Sequence, residues 1–324
     1  MAKERKAFES EDNSGFSEAG TASGRRFYRK DGTANVVRKG IRFFDQLSWY
    51  HTMLAMPRLK FYLWLLIPYI FINLFFGLVY YLIGINHLMG IDKTNPMNEY
   101  IEAFFFSAQT FTTVGYGHVS PSGVLASAIA SFEAFLGVLS FALASGLFYG
   151  RFSRPRSFLK FSNVCVIAPF KEGTAIMFRT VPYKNNHLMD AEVKLTLGLR
   201  VTKDGEQKNE FYPLKADISK INSLILNWTI VHPLDDESPL QGVSLEELKN
   251  MKGEIIVYIK AYDEAFSNTV IARTSYTGDE IIVGAKFVSM YTPSRTGAAT
   301  TIYINRLNVY EKAELPQPRP DESE

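Results

Sequence analysis

The stretch Thr112-Thr113-Val114-Gly115-Tyr116-Gly117, here called the filter segment, decides how the chain is interpreted. Dehydrating K⁺ requires oxygens that replace the water around the ion, and successive backbone carbonyls of an extended strand can supply them. Alternating glycines permit the unusual dihedral angles, and the Thr113 hydroxyl adds one more oxygen. One strand supplies only part of each ring of oxygens. The motif therefore predicts a K⁺-binding filter on the axis of a four-fold assembly.

The flanking sequence strengthens this prediction, because Gly-Tyr-Gly alone also occurs in ordinary turns. Residues 99–111 are apolar but too short to cross a bilayer, which predicts a re-entrant pore helix. Two longer runs, 61–85 and 124–150, enclose it, and Glu133 is the one charged residue within them. At about 1.5 Å per residue, each run exceeds the roughly 30 Å of bilayer hydrocarbon. Both runs are predicted to be transmembrane helices.

The distribution of basic residues predicts the orientation of the two spans. Basic side chains flank their outer ends: Arg38, Lys39, Arg42, Arg58, Lys60, Arg151, Arg154, Arg156 and Lys160. The positive-inside rule then predicts a multi-pass protein of the plasma (inner) membrane with both termini cytoplasmic. Residues 36–57 mix aromatic and charged residues at roughly helical spacing, which predicts a slide helix lying at the interface.

The remaining sequence predicts a second domain. The pore domain is assigned to residues 58–156, and from 157 to 312 the hydrophobic period changes to two, as along 193–201. Many short strands at this spacing predict an immunoglobulin-like sandwich. The segment Ser244-Leu245-Glu246-Glu247 predicts one short helix with a capping box. The polar N-terminus, 1–35, is predicted to be disordered and the tail, 313–324, to be loose.

Composition argues against several other functions. The net charge of the 324 residues is only +2, which gives no reason to expect a nucleic acid partner. The five histidines are scattered, without H-E-x-x-H or a G-x-S-x-G elbow, so an enzyme is not expected. A channel with a nucleotide-binding domain would need G-x-G-x-x-G after a strand, which is missing. A membrane-anchored sandwich that binds without conducting remains an alternative.

Four segments carry a resemblance to a known family: the filter segment, 144–156, 226–240 and 279–284. There the chain resembles the prokaryotic inward-rectifier potassium channels, the KirBac family, over roughly residues 36–312. The resemblance implies a two-transmembrane-helix potassium channel pore plus a cytoplasmic all-β immunoglobulin-like sandwich. It also implies a homotetramer that conducts K⁺ passively and selectively, needs no cofactor and is regulated by anionic membrane lipids.

Two departures from the family bear on the pore. Many members have glutamate behind the filter where this chain has Gln109, so the buried salt bridge usual there is not expected. Strong rectifiers carry an acid at the position of Phe141, so block by Mg²⁺ or polyamines at that place is predicted to be weak. Gln109 and Glu133 are the candidates for filter support. Glu133 either braces the filter region or sits, protonated or hydrogen-bonded, at a helix interface.

Spacing along the second span predicts a gate. Gly137, Phe141, Ser145 and Tyr149 are four residues apart and share one helix face, which is predicted to line the pore. Tyr149 comes last, where its ring can close the path by dewetting. Gly137 and Gly146 are candidate bending points. The alternative for Tyr149 is an interfacial aromatic anchor.

Two sets of charged residues complete the candidate sites. The predicted lipid-binding residues are those at the cytoplasmic headgroup level: Arg58, Lys60, Arg151, Arg154 and Arg156. The alternative is that they serve only as a topology signal. Glu206 and Glu280 are predicted to form acidic rings in the cytoplasmic pore, and the alternative is that they are solvated surface charges.

Overall fold

The computed structural model describes residues 26–37, 39–40, 42, 48–92, 95–203, 206–292 and 300–316. The chain divides into two compact units. The helical unit is formed by residues 39–154, and the β unit by residues 1–38 together with 155–324.

The described residues of the helical unit form four α-helices: α1 (Trp49–Ala55), α2 (Arg58–Ile83), α3 (Pro96–Phe111) and α4 (Val124–Phe152). A short antiparallel pair, β1 (Leu88–Met89) and β2 (Ser120–Pro121), joins the segments on either side of α3. By length and composition, α2 and α4 can cross a membrane, which matches the two predicted spans. Helix α3 begins at Pro96, three residues earlier than predicted, because Asn95 caps the Met97 N–H and proline favours the first helical position.

The structure describes only part of the segment predicted to be the slide helix. Of residues 36–57, only α1 is helical among the described residues, and residues 36, 37, 39, 40 and 42 lie outside any helix. Residues 43–47 lie outside the described part of the chain. The helix ends at Ala55 because Met56 precedes Pro57 and is held in extended backbone.

The β unit is the predicted sandwich. Its strands are β3 (Leu159–Phe161), β4 (Cys165–Phe170), β5 (Gly173–Pro182), β6 (Leu188–Lys203), β7 (Glu206–Leu214), β8 (Lys220–Leu224), β9 (Trp228–Pro233), β10 (Glu254–Asp263), β11 (Asn268–Thr277), β12 (Ile281–Val283), β13 (Ala285–Phe287), β14 (Tyr291–Thr292), β15 (Thr301–Ile302) and β16 (Tyr310–Lys312). One five-stranded sheet runs β11-β10-β6-β7, with β8 also on β6. The other runs β12-β4-β5-β3, with β9 also on β5.

The hydrophobic core lies between these two sheets. Alternate residues of β6, from Val193 to Leu199, are buried together with side chains of β5 such as Phe178. The period of two seen in the sequence is thus the inward-facing side of β6. The predicted short helix is α5 (Leu245–Asn250), and both hydrogen bonds of the capping box between Ser244 and Glu247 form.

Part of the segment predicted to be disordered, residues 26–35, has a defined structure. Residues 1–25 lie outside the described residues, but 26–35 form a turn closed by a bridge between Tyr28 and Ala34. Phe27 is buried against Phe211, with ring centroids 5.2 Å apart. The backbone N–H groups of Phe27 and Tyr28 donate to the Glu254 carboxylate at 2.5 and 3.0 Å. This segment, here called the N-terminal strap, is part of the β unit because apolar burial and buried hydrogen bonds offset its ordering.

Candidate potassium filter and gate

The filter segment directly follows the carboxyl end of α3. Amides of the filter segment fold back onto that end: Thr113 N–H donates to Thr110 O at 3.0 Å, and Val114 N–H to Gln109 O at 3.0 Å. Gly115 N–H also points to Gln109 O, at 3.4 Å. These bonds hold the start of the filter segment to the negative end of the helix dipole, which favours cations. Gln109 is thereby placed behind the filter segment through its backbone.

The sign of φ alternates along the filter segment from Thr113 to Gly117. Thr113, Gly115 and Gly117 have φ of +60°, +54° and +82°, whereas Val114 and Tyr116 do not have positive φ. Alternation of right- and left-handed residues turns successive N–H groups to one side of the chain and successive carbonyls to the other. Thr113 holds this strained conformation without being glycine, which is typical of functional backbone. Such a row of carbonyls is the ligand set that a dehydrated K⁺ requires.

Gly137 on α4 fixes the end of α3. A Cβ built at Gly137 would lie 1.8 Å from the backbone oxygen of Phe111, so the two helices touch there without an intervening side chain. Gly137 therefore faces the end of α3 within this chain, and its place along the pore stays a prediction. Within the helical unit, Gly137 is buried, whereas Phe141, Ser145 and Tyr149 are exposed. The exposed face of α4 therefore begins at Phe141, and the Tyr149 side chain is 75% exposed.

Glu133 is fully buried at the junction of three helices. Its carboxylate accepts a hydrogen bond from Tyr80 of α2, 2.6 Å away, and lies against the hydroxyl of Ser107 of α3. Glu133 therefore sits hydrogen-bonded at a helix interface and also contacts the helix that carries the filter segment. Its position at a helix interface is thus observed, whereas its role in bracing the filter region stays a prediction.

Arg151 binds protein rather than projecting to solvent. Its guanidinium donates to Met53 O at 3.2 Å and to Met56 O at 2.8 Å, the free carbonyls at the end of α1. The same group lies 4.8 Å from the centroid of the Phe61 ring. A cation at a helix carboxyl end is favourable, and here it ties α1 to the end of α4. Arg151 is thus half-buried and bound to α1, and its role as a lipid ligand stays a prediction. Arg58, Lys60, Arg154 and Arg156 are exposed.

Glu280 is engaged by the N-terminal strap. Its Oε2 lies 2.8 Å from Arg26 and 3.2 Å from Lys30, and it also accepts the Thr277 N–H. Burial alone would raise the pKa of Glu280, but the bonds from Arg26 and Thr277 and the charge of Lys30 bring its pKa below the usual value of 4.5. Two cations of the N-terminal strap therefore pair with this carboxylate within the chain, and its role as a pore acid stays a prediction. Glu206 is exposed at the start of β7.

Glu280→Gln is expected to loosen the N-terminal strap. Because the pKa of Glu280 is lowered by folding, its contribution to stability is present above about pH 4.5 and is lost as pH falls through the lower folded value. At neutral pH, trypsin should therefore cleave the basic residues of segment 26–35 several-fold faster in the variant. Asp279→Asn is the control, since Asp279 pairs only at the surface with Lys249. Equal cleavage of Glu280→Gln and wild type would contradict the role of the ion pair.

Comparison with known proteins identifies the family. The family model described as inward rectifier potassium channel C-terminal domain matches residues 159–322, and the model described as ion channel matches residues 69–153. The chain is 33% identical over 272 residues to the inward rectifier potassium channel Kirbac3.1 of Paramagnetospirillum magnetotacticum, covering 82% of this chain and 90% of that protein. The chain belongs to the inward rectifier potassium channel family.

Inward rectifiers from animals are also similar to this chain. The G protein-activated inward rectifier potassium channel 3 of Homo sapiens is 30% identical over 322 residues, covering 90% of this chain and 79% of that protein. The predicted family and the predicted fold class, a two-helix pore with an all-β sandwich, are confirmed. Family membership supports potassium channel function and a membrane location, and the related proteins are ion channels rather than enzymes.

Sequence reasoning missed several residues of this inward rectifier. Asn73, Tyr80 and Ser107 contact Glu133 or one another, and Arg26 and Glu254 hold the N-terminal strap. Asn73 left a signal, since it is the single amide side chain in the first predicted span. The others left none, because tyrosine, serine and surface charges are common outside functional sites.

Proposed function

We propose that this chain forms a homotetrameric channel that conducts K⁺ passively and selectively through four copies of the filter segment. The alternating φ values at Thr113, Gly115 and Gly117 carry this proposal, because they point a row of carbonyls to one side of each chain. Val114 and Tyr116 are 53% and 79% exposed in the single chain, which fits a segment completed by neighbouring copies. Both termini are proposed to be cytoplasmic, in the plasma (inner) membrane.

Uptake of Rb⁺ by liposomes that contain the purified protein tests this proposal. Rb⁺ is expected to enter, Na⁺ to be excluded and Ba²⁺ to block. The mass of the assembly should be that of a tetramer. Equal uptake of Rb⁺ and Na⁺, or a stable dimer, contradicts the proposal. An absence of flux favours the sandwich as a binding module.

The gate is proposed at the cytoplasmic end of α4. Tyr149 is the last member of the exposed face that starts at Phe141, and helices that converge there would bring four tyrosine rings together. Neighbouring Gly150 packs closely against α1, since a Cβ there would lie 2.6 Å from the Tyr50 hydroxyl, which would have to shift. Movement of α1 would therefore reach the gate through this contact and through Arg151.

Tyr149→Ala is expected to raise basal Rb⁺ flux several-fold, because the alanine methyl group is too small to narrow the pore and exclude water from it. Leu143→Ala is the matched control, since Leu143 is 71% exposed on another face of the same helix. Flux unchanged in Tyr149→Ala, or raised equally in both variants, would favour the interfacial anchor.

Anionic lipid headgroups are proposed as modulators that bind the exposed basic residues. Arg58 and Lys60 lie in the first turn of α2, Arg154 follows α4, and Arg156 belongs to the β unit. Each basic residue near an anionic surface contributes about 1 kcal/mol, so several are enough to bias a two-state gate. Block by free Mg²⁺ or polyamines is proposed to be weak at Phe141, which has no charge, while Glu206 and Glu280 remain the candidate acids of the cytoplasmic pore.

Arg151→Gln and Arg154→Gln are expected to differ in liposomes of rising anionic-lipid content. Arg154→Gln should flatten the dependence of Rb⁺ flux on lipid charge, because Arg154 is free to bind a headgroup. Arg151→Gln should change flux at every lipid composition, because it releases α1 from the end of α4. If flux ignores lipid charge in both variants and in wild type, the basic residues are only a topology signal. Identical behaviour of the two variants would contradict the distinct role of Arg151.

A further inference from the structure

Four polar side chains meet inside the membrane-spanning part of the helical unit. Asn73 and Tyr80 come from α2, Ser107 from α3 and Glu133 from α4, and all four are fully buried. A polar side chain in this position is costly unless every hydrogen-bonding atom is matched. The arrangement of donors and acceptors is therefore informative about where the protons lie.

Three contacts define a chain of hydrogen bonds. Asn73 Nδ2 donates to Tyr69 O at 2.6 Å, which fixes its Oδ1 as the atom facing Ser107. Ser107 Oγ lies 3.1 Å from that Oδ1 and is also hydrogen-bonded to Glu133 Oε1. Tyr80 donates its hydroxyl proton to Glu133 Oε2 at 2.6 Å. Ser107 thus stands between two acceptor oxygens.

A serine hydroxyl has one proton and cannot donate to both oxygens. With an ionised Glu133, either the Asn73 oxygen or a carboxylate oxygen would face a lone pair of Ser107. A proton on Glu133 Oε1 resolves the conflict: Glu133 donates to Ser107, Ser107 donates to Asn73, and Tyr80 donates to Glu133. Every polar atom of the chain then has a partner.

We propose that Glu133 is a neutral carboxylic acid and that its proton completes a hydrogen-bond chain that positions α3 behind the filter segment. Glu133 is a positioning residue, since it contacts α3 at Ser107 and not the filter segment itself. A neutral acid also adds no charge beside the ion path, which an ionised carboxylate would do.

The proposal predicts which substitution is tolerated. In Glu133→Gln, the amide nitrogen can donate to Ser107 and the amide oxygen can accept from Tyr80, so the pattern of the neutral acid is kept. Glu133→Ala leaves both hydroxyls without their partner in a buried site. Ser131→Ala is the matched control, because Ser131 is exposed on the same helix and bonds only to Ser127 O of its own helix.

Infrared spectroscopy of the purified full-length protein in liposomes at neutral pH tests the proton directly. Wild type is expected to show the carbonyl stretch of a protonated carboxylic acid, and the wild-type minus Glu133→Gln difference spectrum should contain it. Ser131→Ala should keep it. A difference spectrum that shows loss of a carboxylate band instead overturns the proposal.

Rb⁺ flux and the melting temperature of the assembly test the positioning role. Glu133→Gln is expected to stay within about twofold of wild-type flux, and Glu133→Ala to lose at least tenfold and to melt earlier. Loss of flux in Glu133→Gln overturns the proposal, and Glu133→Ala that behaves as wild type does the same. The flux measurement rests on the proposed conduction, whereas the spectrum and the melting temperature do not, so the two can fail separately.

Discussion

Gly115→Ala is expected to abolish K⁺ flux. Gly115 has φ of +54°, where a Cβ crowds the following carbonyl and costs about 1 kcal/mol or more in each subunit. Alanine relieves this strain by returning to negative φ, which turns one peptide carbonyl away from the row. In the proposed four-fold pore, one ring of oxygens is then lost at once, and dehydrated K⁺ has no complete ligand set.

Val114→Ile is the control for this experiment. Val114 lies next to Gly115 and does not have positive φ, so a larger side chain there does not disturb the handedness of the backbone. Rb⁺ uptake should vanish in Gly115→Ala and persist in Val114→Ile, with both proteins still tetrameric. Wild-type uptake by Gly115→Ala would mean that the left-handed conformation is not required for conduction.

Gly137→Ala is expected to have the second largest effect, a loss of at least tenfold in flux together with a lower melting temperature. The new Cβ would lie 1.8 Å from Phe111 O and 2.7 Å from its carbonyl carbon, and neither backbone atom can rotate away. Overpacking of this kind lowers the free energy of unfolding by about 1–3 kcal/mol. The end of α3 must shift, and the filter segment, whose amides bond to Gln109 O, shifts with it.

Gly146→Ala separates packing from flexibility on the same helix. Nothing lies within 4 Å of a Cβ at Gly146, and alanine is the better helix former by about 1 kcal/mol. If Gly137 and Gly146 are both needed as bending points, the two alanine variants should be equally impaired. If the loss of flux in Gly137→Ala comes instead from the contact with Phe111, Gly146→Ala should conduct and be at least as stable as wild type. Normal flux in Gly137→Ala would contradict the packing account.

Local sequence signals predicted most of the architecture. The uncharged runs of α2 and α4 and the period of two along β6 each reflect the environment of a single element, so they can be recognised without knowing what packs against it. The capping box at Ser244 is equally local, since both of its hydrogen bonds lie within four residues. The predicted fold class was therefore correct, and the predicted helices and strands differ from the observed ones mainly in where they begin and end.

The contacts that the sequence did not indicate join distant segments. Arg26 and Glu280 are 254 residues apart, and neither sequence neighbourhood indicates the other. The same holds for Arg151, whose bonds reach Met53 and Met56 across the helical unit. A basic residue after a span looks identical in sequence whether it binds a headgroup or a helix end. Tertiary packing determines which of the two partners the residue binds, and the periodicity of the sequence does not indicate that packing.

The reversal potential of the reconstituted channel tests the central claim most directly. With K⁺ on one side of a planar bilayer and an equal concentration of Na⁺ on the other, current through wild type should reverse far from zero, on the side set by K⁺, and should disappear with Ba²⁺ and in Gly115→Ala. Current that reverses at zero under this gradient would show a pore that does not distinguish K⁺ from Na⁺, and it would contradict the assignment of the Thr112–Gly117 segment as a potassium filter.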